Sequence, residues 1–595
     1  MNLTTSNLQA KIKPVSPSFR TGSDRSTSTS GQFLKRSVLS VHRSLLLLTG
    51  ACLIVFSSSC QGKKRQEERA SKNQPVLDST YYIKYMTSDP VLKEHTDWAK
   101  KFYREREFRL GWFKNNEVVP QAKQMLDMIA EAGAEGLNPK KYQFKDFNKM
   151  FADLEAAKRD SAQFTAIQKE IDVALSGTYF VWASDYYRGV VIPMENEEIE
   201  WDVKRNKIKL HKALMTVLSE RESKYSYASF APLHPDYARL KSALANYRKI
   251  QAAGGWPKVT ANSKLKVGER SPLVPALRKR LGLSGTDSIY SADVNNAVKT
   301  FQGAQGLKPD GALGAETVKM LNVSVDERIK QIILNMERWR WIPKSFEPDY
   351  LLVNIPEYKL HVFEKGKEAM NMNVIVGKTL NSTPIFSDKM ETVVLSPYWN
   401  VPVSIIKNEL ASKFAGNPGY LDRLDMEVVT GKGTPVDPSS IDWNSVDESN
   451  WKYVLRRRPG PKNDLGDVKF IFPNTNDIYL HDTPNDELFS QAKRGFSHGC
   501  VRVEKPIELA TYLLRNAGYD RNKIESTIAQ RKEKHVKLNK VLPVYLVYFT
   551  AWADDSGNMH FRDDIYGHDK TLAQQYFNDV RAANATSKGD LKGKL

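Results

Sequence analysis

The spacing of apolar residues changes its period once along this chain, near Pro343, and that change limits the folds open to it. Upstream, apolar side chains recur at helical spacing, as in residues 122–129 and 171–182. Downstream they alternate, as in residues 350–355 and 372–377. A chain of 595 residues is also too long for a single core. The pattern predicts a multidomain α+β protein in which helical units precede a mainly-β domain.

The first 59 residues predict a leader for export. Their mainly apolar run at 45–56 is too short to span a bilayer, which takes about 20 residues, but it fits a signal-peptide core. Three serines and Cys60 follow, and this resembles the lipidation site of bacterial lipoproteins. We expect Cys60 to carry lipid, residues 60–75 to form a tether, and the mature chain to be a membrane-anchored periplasmic lipoprotein. Plain secretion and an uncleaved anchor are the alternatives.

The net charge of +19 favours an anionic partner, such as a membrane surface or an acidic polymer. The sequence has no cluster of Lys and Arg interleaved with aromatic residues and no zinc-finger spacing. We therefore expect no binding to nucleic acid.

Two units are predicted before the mainly-β domain. Residues 76–255 have helical patterns and form a scaffold that ends at a Gly-Gly pair. Residues 265–325 then form a compact unit with a tight Asp310-Gly311 turn. This unit resembles the small three-helix peptidoglycan-binding module of many cell-wall enzymes. It either binds glycan or acts as a spacer.

Residues 326–595 form the mainly-β domain, which begins with an amphipathic linker helix at 328–343. An irregular stretch at about 400–466 is too long for a passive loop and predicts a cap over a site. The stretch contains the basic string Arg456-Arg457-Arg458, which either attracts acidic peptides or is an ordinary solvated loop.

Cys500 is the only cysteine downstream of the predicted lipidation site, so it is a free thiol in an exported protein. It follows Ser497, His498 and Gly499, and His481 lies nineteen residues upstream, after an apolar run. A thiol attacks an amide as the thiolate, and free cysteine titrates near about 8.5, so it needs a neighbouring base. We expect His481 to be that base, with its second nitrogen held by a main-chain carbonyl.

The residues around the thiol predict the rest of the site. The main-chain N–H groups of Gly499 and Cys500 can form an oxyanion hole. His498 can add a second donor, Ser497 can brace the turn, and Arg502 can bind a carboxylate with two hydrogen bonds.

The histidine, the Ser-His-Gly-Cys string and Arg502 together resemble the signature of the L,D-transpeptidases with a YkuD-type catalytic domain. Similar strings at 353–356, 374–378, 397–402 and 481–484 extend the resemblance to the large Gram-negative subfamily, which has a helical scaffold and a peptidoglycan-binding module. The resemblance implies the following roles: Cys500 as nucleophile, His481 as base, His498 and Gly499 at the oxyanion site, and Ser497, Arg502, Tyr479 and Trp399 near the substrate.

The resemblance also implies a reaction that needs neither metal nor cofactor. The thiolate attacks the bond between the third residue of a peptidoglycan stem tetrapeptide and its terminal D-Ala. D-Ala leaves and a thioester forms. An amine on a second stem then resolves the thioester into a 3→3 cross-link, or a free D-amino acid resolves it and takes the place of D-Ala. Carbapenem-type inhibitors are then expected to acylate Cys500.

Other readings of the same residues remain open. Hydrolysis of the thioester would make the protein an L,D-carboxypeptidase, and a lost activity would leave a peptidoglycan-binding lipoprotein. A papain-type peptidase has its cysteine before its histidine, which is the opposite order. A zinc site of His481, His498 and Cys500 would have three ligands and an open position, but no acidic residue or second cysteine supports it.

Overall fold

The structure is a computed structural model, and it describes residues 75–193, 201–203, 207–219, 227–231, 234–260, 265–343 and 346–577. The predicted leader, Cys60 and nearly all of the predicted tether lie outside these residues. Within the described ranges, no helix is both long enough and apolar enough to cross a membrane.

Helices make up most of the region before residue 255, as the helical spacing predicts. The longest, Ser161–Arg188, begins where the Asp160 side chain accepts two main-chain N–H groups, and it passes through the centre of the scaffold core. A short hairpin of β1 (Phe113–Lys114) and β2 (Glu117–Val118) packs beside it. The other helices are Ser79–Thr87, Pro90–Lys93, Thr96–Glu105, Pro120–Ala130, Phe147–Ala156, Leu210–Ser219 and Pro235–Ala252.

The predicted three-helix module is confirmed, with helices Val274–Arg280, Ala292–Ala304 and Ala315–Leu321 around a small core of its own. The Gln302 amide holds its tight turn. Gln302 Nε2 donates to Asp310 Oδ1 at 2.9 Å, and the Gly311 N–H donates to Gln302 Oε1 at 2.8 Å.

The prediction of an amphipathic linker helix is wrong in one respect. The helix Val325–Trp341 begins at a capping box formed by Ser324 and Glu327, but it is buried on nearly all sides. Its polar residues are paired inside the protein, because Glu337 lies 2.9 Å from Arg340 and Arg338 lies 2.5 Å from Asp569. The helix is therefore a central support and not a surface linker.

The mainly-β domain is built on one large sheet. The strands of the large sheet are β3 (Trp201–Asp202), β4 (Tyr350–Asn354), β5 (Lys359–Glu364), β6 (Lys367–Gly377), β7 (Ile385–Leu395), β11 (Val468–Ile471), β12 (Leu480–His481), β13 (Gly495–Ser497), β14 (Val501–Val503) and β15 (Lys534–Val547). The strands of the cap are β8 (Trp399–Asn400), β9 (Met426–Thr430) and β10 (Tyr453–Arg457). A separate hairpin consists of β16 (Ala551–Ala553) and β17 (Met559–Phe561).

The strands of this sheet run in the order β11-β12-β14-β6-β5-β4-β15-β7-β3, with β13 added alongside β6. Because β11 also pairs with β7, the first eight strands of that order form a closed ring. The helices Pro506–Leu514, Arg521–Ile528 and His568–Phe577 belong to the same domain.

The scaffold contributes to this sheet, which the sequence did not predict. Strand β3 lies within the predicted scaffold range, yet it pairs in parallel with β7, with Trp201 opposite Ile385. The helix Pro235–Ala252, also within that range, packs in the core of the mainly-β domain. The hydrophobic cores therefore do not divide at residue 255.

The cap has its own small sheet, in the order β8-β10-β9, and its own hydrophobic core around Phe414 and Trp443. Its helical segments are Val403–Ile405, the π-helical turn Ile406–Leu410, Ala411–Gly416 and Tyr420–Arg423. They lie within the predicted range of about 400–466.

The arginines of the basic string in the cap are all paired with acidic residues of the protein. Arg456 and Arg458 both contact Glu427, at 2.8 Å and 3.0 Å, and Arg457 pairs with Asp464. These pairs disfavour the interpretation that the string attracts acidic peptides.

Candidate active site

Two neighbouring parallel strands place the predicted catalytic residues on one face of the sheet. In β12 and β14, Leu480 lies opposite Val501, and His481 lies opposite Arg502. Leu480 and Val501 are fully buried in the core. Because side chains alternate along a strand, His481 and Arg502 lie on the opposite face. Cys500 comes directly before β14 and two residues before Arg502, so it lies on the same face as Arg502.

Polar groups of Asp477, Tyr479 and Lys469 lie near the sulfur of Cys500. Its S–H donates to the main-chain carbonyl of Asp477 at 3.8 Å. Burial raises the pKa of the thiol, although hydrogen bonds from Tyr479 and the positive charge of Lys469 act in the opposite direction. The resting side chain is therefore a protonated thiol.

His481 is buried, with 5% of its surface exposed. Its Nδ1 lies 2.5 Å from the main-chain carbonyl oxygen of Asp482, the kind of acceptor that the sequence argument required. Because a carbonyl only accepts, Nδ1 carries the hydrogen and Nε2 is left as the proton acceptor. Burial lowers the pKa of His481 to about 3, and the positive charge of Arg502 adds to the effect. The imidazole is neutral near pH 7.

His481 and Cys500 are diagonal neighbours across the two strands. Cys500 lies two residues before Arg502, which is paired with His481, so the two side chains lie on the same face of the sheet. The structure favours a neutral thiol and a neutral imidazole in the resting site, because burial penalises both charged forms.

The turn before the thiol is held by Ser497. Its Oγ donates to the Cys500 carbonyl at 2.6 Å and accepts the Gly499 N–H at 3.2 Å. Gly499 has φ +115, which side-chain-bearing residues rarely adopt. Since the Gly499 N–H is engaged within the turn, the predicted oxyanion hole is reduced here to the Cys500 N–H.

Thr383 braces this turn from behind, and the sequence argument did not assign it a role. Its hydroxyl donates to the Gly499 carbonyl at 2.7 Å and accepts the Gly377 N–H at 2.9 Å. The Gly377 carbonyl in turn accepts the Tyr566 hydroxyl at 2.6 Å. The end of β6 and the catalytic turn are thereby joined by one buried side chain.

Two cations flank the imidazole. Lys469 of β11 lies opposite His481 on one side, and Arg502 of β14 lies opposite it on the other. Lys469 Nζ lies 3.7 Å from the centre of the Tyr479 ring. The Nε of Arg502 is buried and has no hydrogen-bond partner among the described residues. Both cations can receive a substrate carboxylate. Lys469 was not predicted, because only the register of β11 brings it here.

The remaining predicted residues lie on the cap side. His498 Nε2 lies 3.0 Å from Glu409 of the cap. Trp399 packs against the cap core, with the Arg457 guanidinium 5.4 Å from its ring centre. The structure therefore brings Cys500, His481, Tyr479 and Arg502 together and places Trp399 in the cap.

Three protein families match the chain in the predicted order. A family described as "Scaffold domain" matches residues 97–244, and one described as "Putative peptidoglycan binding domain" matches residues 276–321. The family described as "L,D-transpeptidase catalytic domain", or YkuD, matches residues 348–575. Residues 348–575 are an L,D-transpeptidase catalytic domain. Strands β4 to β17, the cap and the cysteine–histidine face described above all lie within this L,D-transpeptidase domain.

The chain also resembles individual proteins. It is 36% identical over 287 residues to a Haemophilus influenzae protein named "Putative L,D-transpeptidase", and the match covers 47% of this chain and 57% of that protein. The chain thus spans just over half the length of this curated relative.

Two solved structures are similar to parts of the chain. The L,D-transpeptidase of Xylanimonas cellulosilytica is 15% identical, with 48% of this chain and 99% of that chain covered and a TM-score of 0.15. The L,D-transpeptidase of Stackebrandtia nassauensis is 13% identical, with 49% and 97% covered and a TM-score of 0.18. Scores this low carry no structural argument, so the assignment of the L,D-transpeptidase domain rests on the family match.

Proposed function

We propose that this protein is a cysteine acyltransferase that forms 3→3 cross-links between peptidoglycan stem peptides. One observation carries the proposal. The parallel pairing of β12 with β14 makes Cys500 and His481 diagonal neighbours on one face of the L,D-transpeptidase domain. A nucleophile and a general base on one face can come within hydrogen-bond reach when substrate binds, since such contacts are often looser in the free enzyme.

In the first half of the reaction, Cys500 Sγ attacks the carbonyl carbon between the third stem residue and D-Ala. Nε2 of His481 accepts the S–H proton as the carbon–sulfur bond forms. The Cys500 N–H stabilises the negative oxygen, and one such donor is typically worth about 3–4 kcal/mol of the barrier. The carbon–nitrogen bond then breaks, D-Ala leaves with the proton from His481, and a thioester remains.

In the second half, an amine on another stem attacks the thioester carbon. His481 accepts a proton from that amine and returns it to the sulfur as the carbon–sulfur bond breaks. General base catalysis of this kind commonly contributes about 10²–10⁴ in rate. Lys469 and Arg502 lie on either side of His481 and hold carboxylates of the stem.

The test uses the full chain and its Cys500→Ala variant with purified tetrapeptide stems. The wild type is expected to release D-Ala, to form cross-linked dimers, and to gain the mass of one carbapenem when incubated with that inhibitor. Cys500→Ala is expected to do none of these. Turnover by Cys500→Ala would refute the proposal. If the wild type forms tripeptide but no cross-linked dimer, the protein is an L,D-carboxypeptidase. If the wild type shows neither turnover nor a carbapenem adduct, it is a non-catalytic wall-binding protein.

We also propose that the chain is exported and anchored in the periplasm through lipid on Cys60. The apolar run and the serines before Cys60 support this. Labelled palmitate incorporated into the wild type but not into Cys60→Ala would support the anchor. Equal labelling of the two proteins would refute it.

A further inference from the structure

A cleft of about 1300 Å³ lies between the peptidoglycan-binding module and the catalytic domain. It exceeds the roughly 300–1,000 Å³ typical of small-molecule sites. One wall is the module segment 303–309, and another is the catalytic-domain segment 489–494. The second wall leads directly into β13 and then to the catalytic turn.

Arginine side chains fix the two sides of the cleft to each other. Arg562 of the catalytic domain donates to the Ala304 carbonyl of the module at 3.0 Å. Arg328 donates to Gln305 Oε1 at 2.6 Å. A Cβ at Gly306 would lie 2.7 Å from Arg562 Cδ, so the two parts approach too closely there for a side chain. The cleft is therefore a built feature of the fold.

The catalytic-domain wall is held from within by Arg494, which is buried. Its guanidinium donates to the carbonyl oxygens of Val374, Tyr358 and Gln491 at 3.2, 2.9 and 2.6 Å. A wall held by three main-chain acceptors keeps its shape when a ligand binds.

The lining of the cleft indicates an uncharged ligand. Five Lys or Arg residues and four Asp or Glu residues line it, so its charge is nearly balanced. Several of these charges are already paired, as in Lys493 with Asp563 at 3.1 Å and Glu357 with His361 at 3.2 Å. A balanced lining does not attract a polyanion, whereas its polar groups can bond to hydroxyl and amide groups.

The catalytic-domain wall of the cleft and the thiol are joined by a short stretch of chain. Five residues lie between Arg494 and Cys500, and the six steps along the chain span about 20 Å at most. Three of them form the strand β13, and the rest turn. A tetrapeptide in extended form reaches about 13–14 Å. A peptide attached to a polymer in the cleft can run along this stretch of chain toward Cys500.

We propose that this cleft holds the glycan backbone of peptidoglycan while the attached stem peptide extends along β13 to the thiol. The inference rests on the proposed function, since it places the sugar part of the same substrate. The binding surface is then shared by the module and the catalytic domain and does not belong to the module alone.

The test blocks the cleft with a bulky side chain. Gly303 lies on the module wall, and a Cβ there would meet nothing within 4 Å, so Gly303→Trp projects into open space. Gly314→Trp is the matched control, because Gly314 lies in the same module, is equally open and does not line the cleft. Both are made in the full chain carrying Cys500→Ala, and co-sedimentation with purified sacculi is measured. Unchanged thermal melting confirms folding, and Lys308→Trp replaces Gly303→Trp if that variant unfolds.

Gly303→Trp is expected to weaken sacculus binding by at least about tenfold, equivalent to 1.4 kcal/mol, while Gly314→Trp binds as the parent does. Equal sedimentation of Gly303→Trp and Gly314→Trp would overturn the proposal. Since the variants lack the thiol, this result does not depend on turnover. With the thiol restored, Gly303→Trp is expected to lose the preference for disaccharide-tetrapeptide over free tetrapeptide. A preference that survives would also overturn the proposal.

Discussion

The carboxylate of Glu409 lies 3.0 Å from Nε2 of His498, two residues before the proposed nucleophile. Glu409 belongs to the π-helical turn of the cap, and its neighbours Ile406 and Leu410 are buried in the cap core. The carboxylate is therefore held by the cap fold, and its contact with His498 joins the cap to the catalytic turn. π-Helical turns are frequent at functional sites.

Replacing Glu409 with Gln is expected to lower kcat/KM for tetrapeptide by about two- to fivefold. Contacts between partly exposed polar or charged groups are typically worth roughly 0.2–1 kcal/mol, and here that energy keeps the cap over the turn. Lys407→Met is the control, because Lys407 lies on the same turn but pairs with Asp447 inside the cap. A Glu409→Gln enzyme as active as the wild type would mean that the contact does not position the cap.

Thr383→Val is expected to destabilise the domain by about 1–3 kcal/mol, because it leaves the buried Gly377 N–H and Gly499 carbonyl without their partner. It is also expected to slow carbapenem acylation, since the turn that presents Cys500 loses its brace. Thr383→Ser keeps the hydroxyl and is expected to retain most of the rate. Thermal melting and mass spectrometry of the adduct measure the two effects. Equal acylation rates in the Val and Ser variants would contradict the bracing role.

Carbapenem acylation of Cys500 is expected to show no inflection near pH 6.5, the ordinary value for histidine. The pKa of His481 is lowered to about 3, so the base stays unprotonated at every pH above that value, and acid does not remove it in the usual range. Burial raises the pKa of the neighbouring Asp482 to about 6, so Asp482→Asn is measured in parallel. A loss of rate below pH 6.5 that persists in Asp482→Asn would show that His481 titrates normally.

Arg340→Leu is expected to destabilise the protein by about 3–5 kcal/mol, since it leaves the fully buried Glu337 carboxylate without its cation. The double variant Glu337→Leu/Arg340→Leu is expected to recover part of the loss. Lys330→Leu, at an exposed position of the same helix, is the control and is expected to change stability by less than about 0.5 kcal/mol. The shift in the urea unfolding midpoint measures the change in stability of each of the three variants. A midpoint for Arg340→Leu equal to that of Lys330→Leu would argue against a structural role for the pair.

The parts of the molecule that local pattern determines were predicted well. Alternation of apolar residues predicted β4, β5 and most of β6, and a single thiol with an upstream histidine predicted both members of the candidate pair. These features depend on residues that are close together in the chain or on a distinctive string.

Features that depend on long-range pairing were missed. Lys469 reaches the site only through the register of β11 with β12, and Glu409 only through the position of the cap. The central helix is buried despite its charged Glu337 and Arg340, because the two side chains pair with each other, and helical spacing alone does not reveal that pairing. Strand β3 has two residues, too few for any period to show.

Strand β3 has a practical consequence for anyone wishing to study the catalytic part by itself. A fragment cut at the predicted boundary of residue 326 would leave the outer edge of β7 uncovered where Trp201 and Asp202 now lie, along with the apolar surface that the Pro235–Ala252 helix covers. Bare sheet edges invite self-association. The catalytic part should therefore be expressed together with the segment that contains β3 and the Pro235–Ala252 helix. The domains also cannot be exchanged among homologues as independent units.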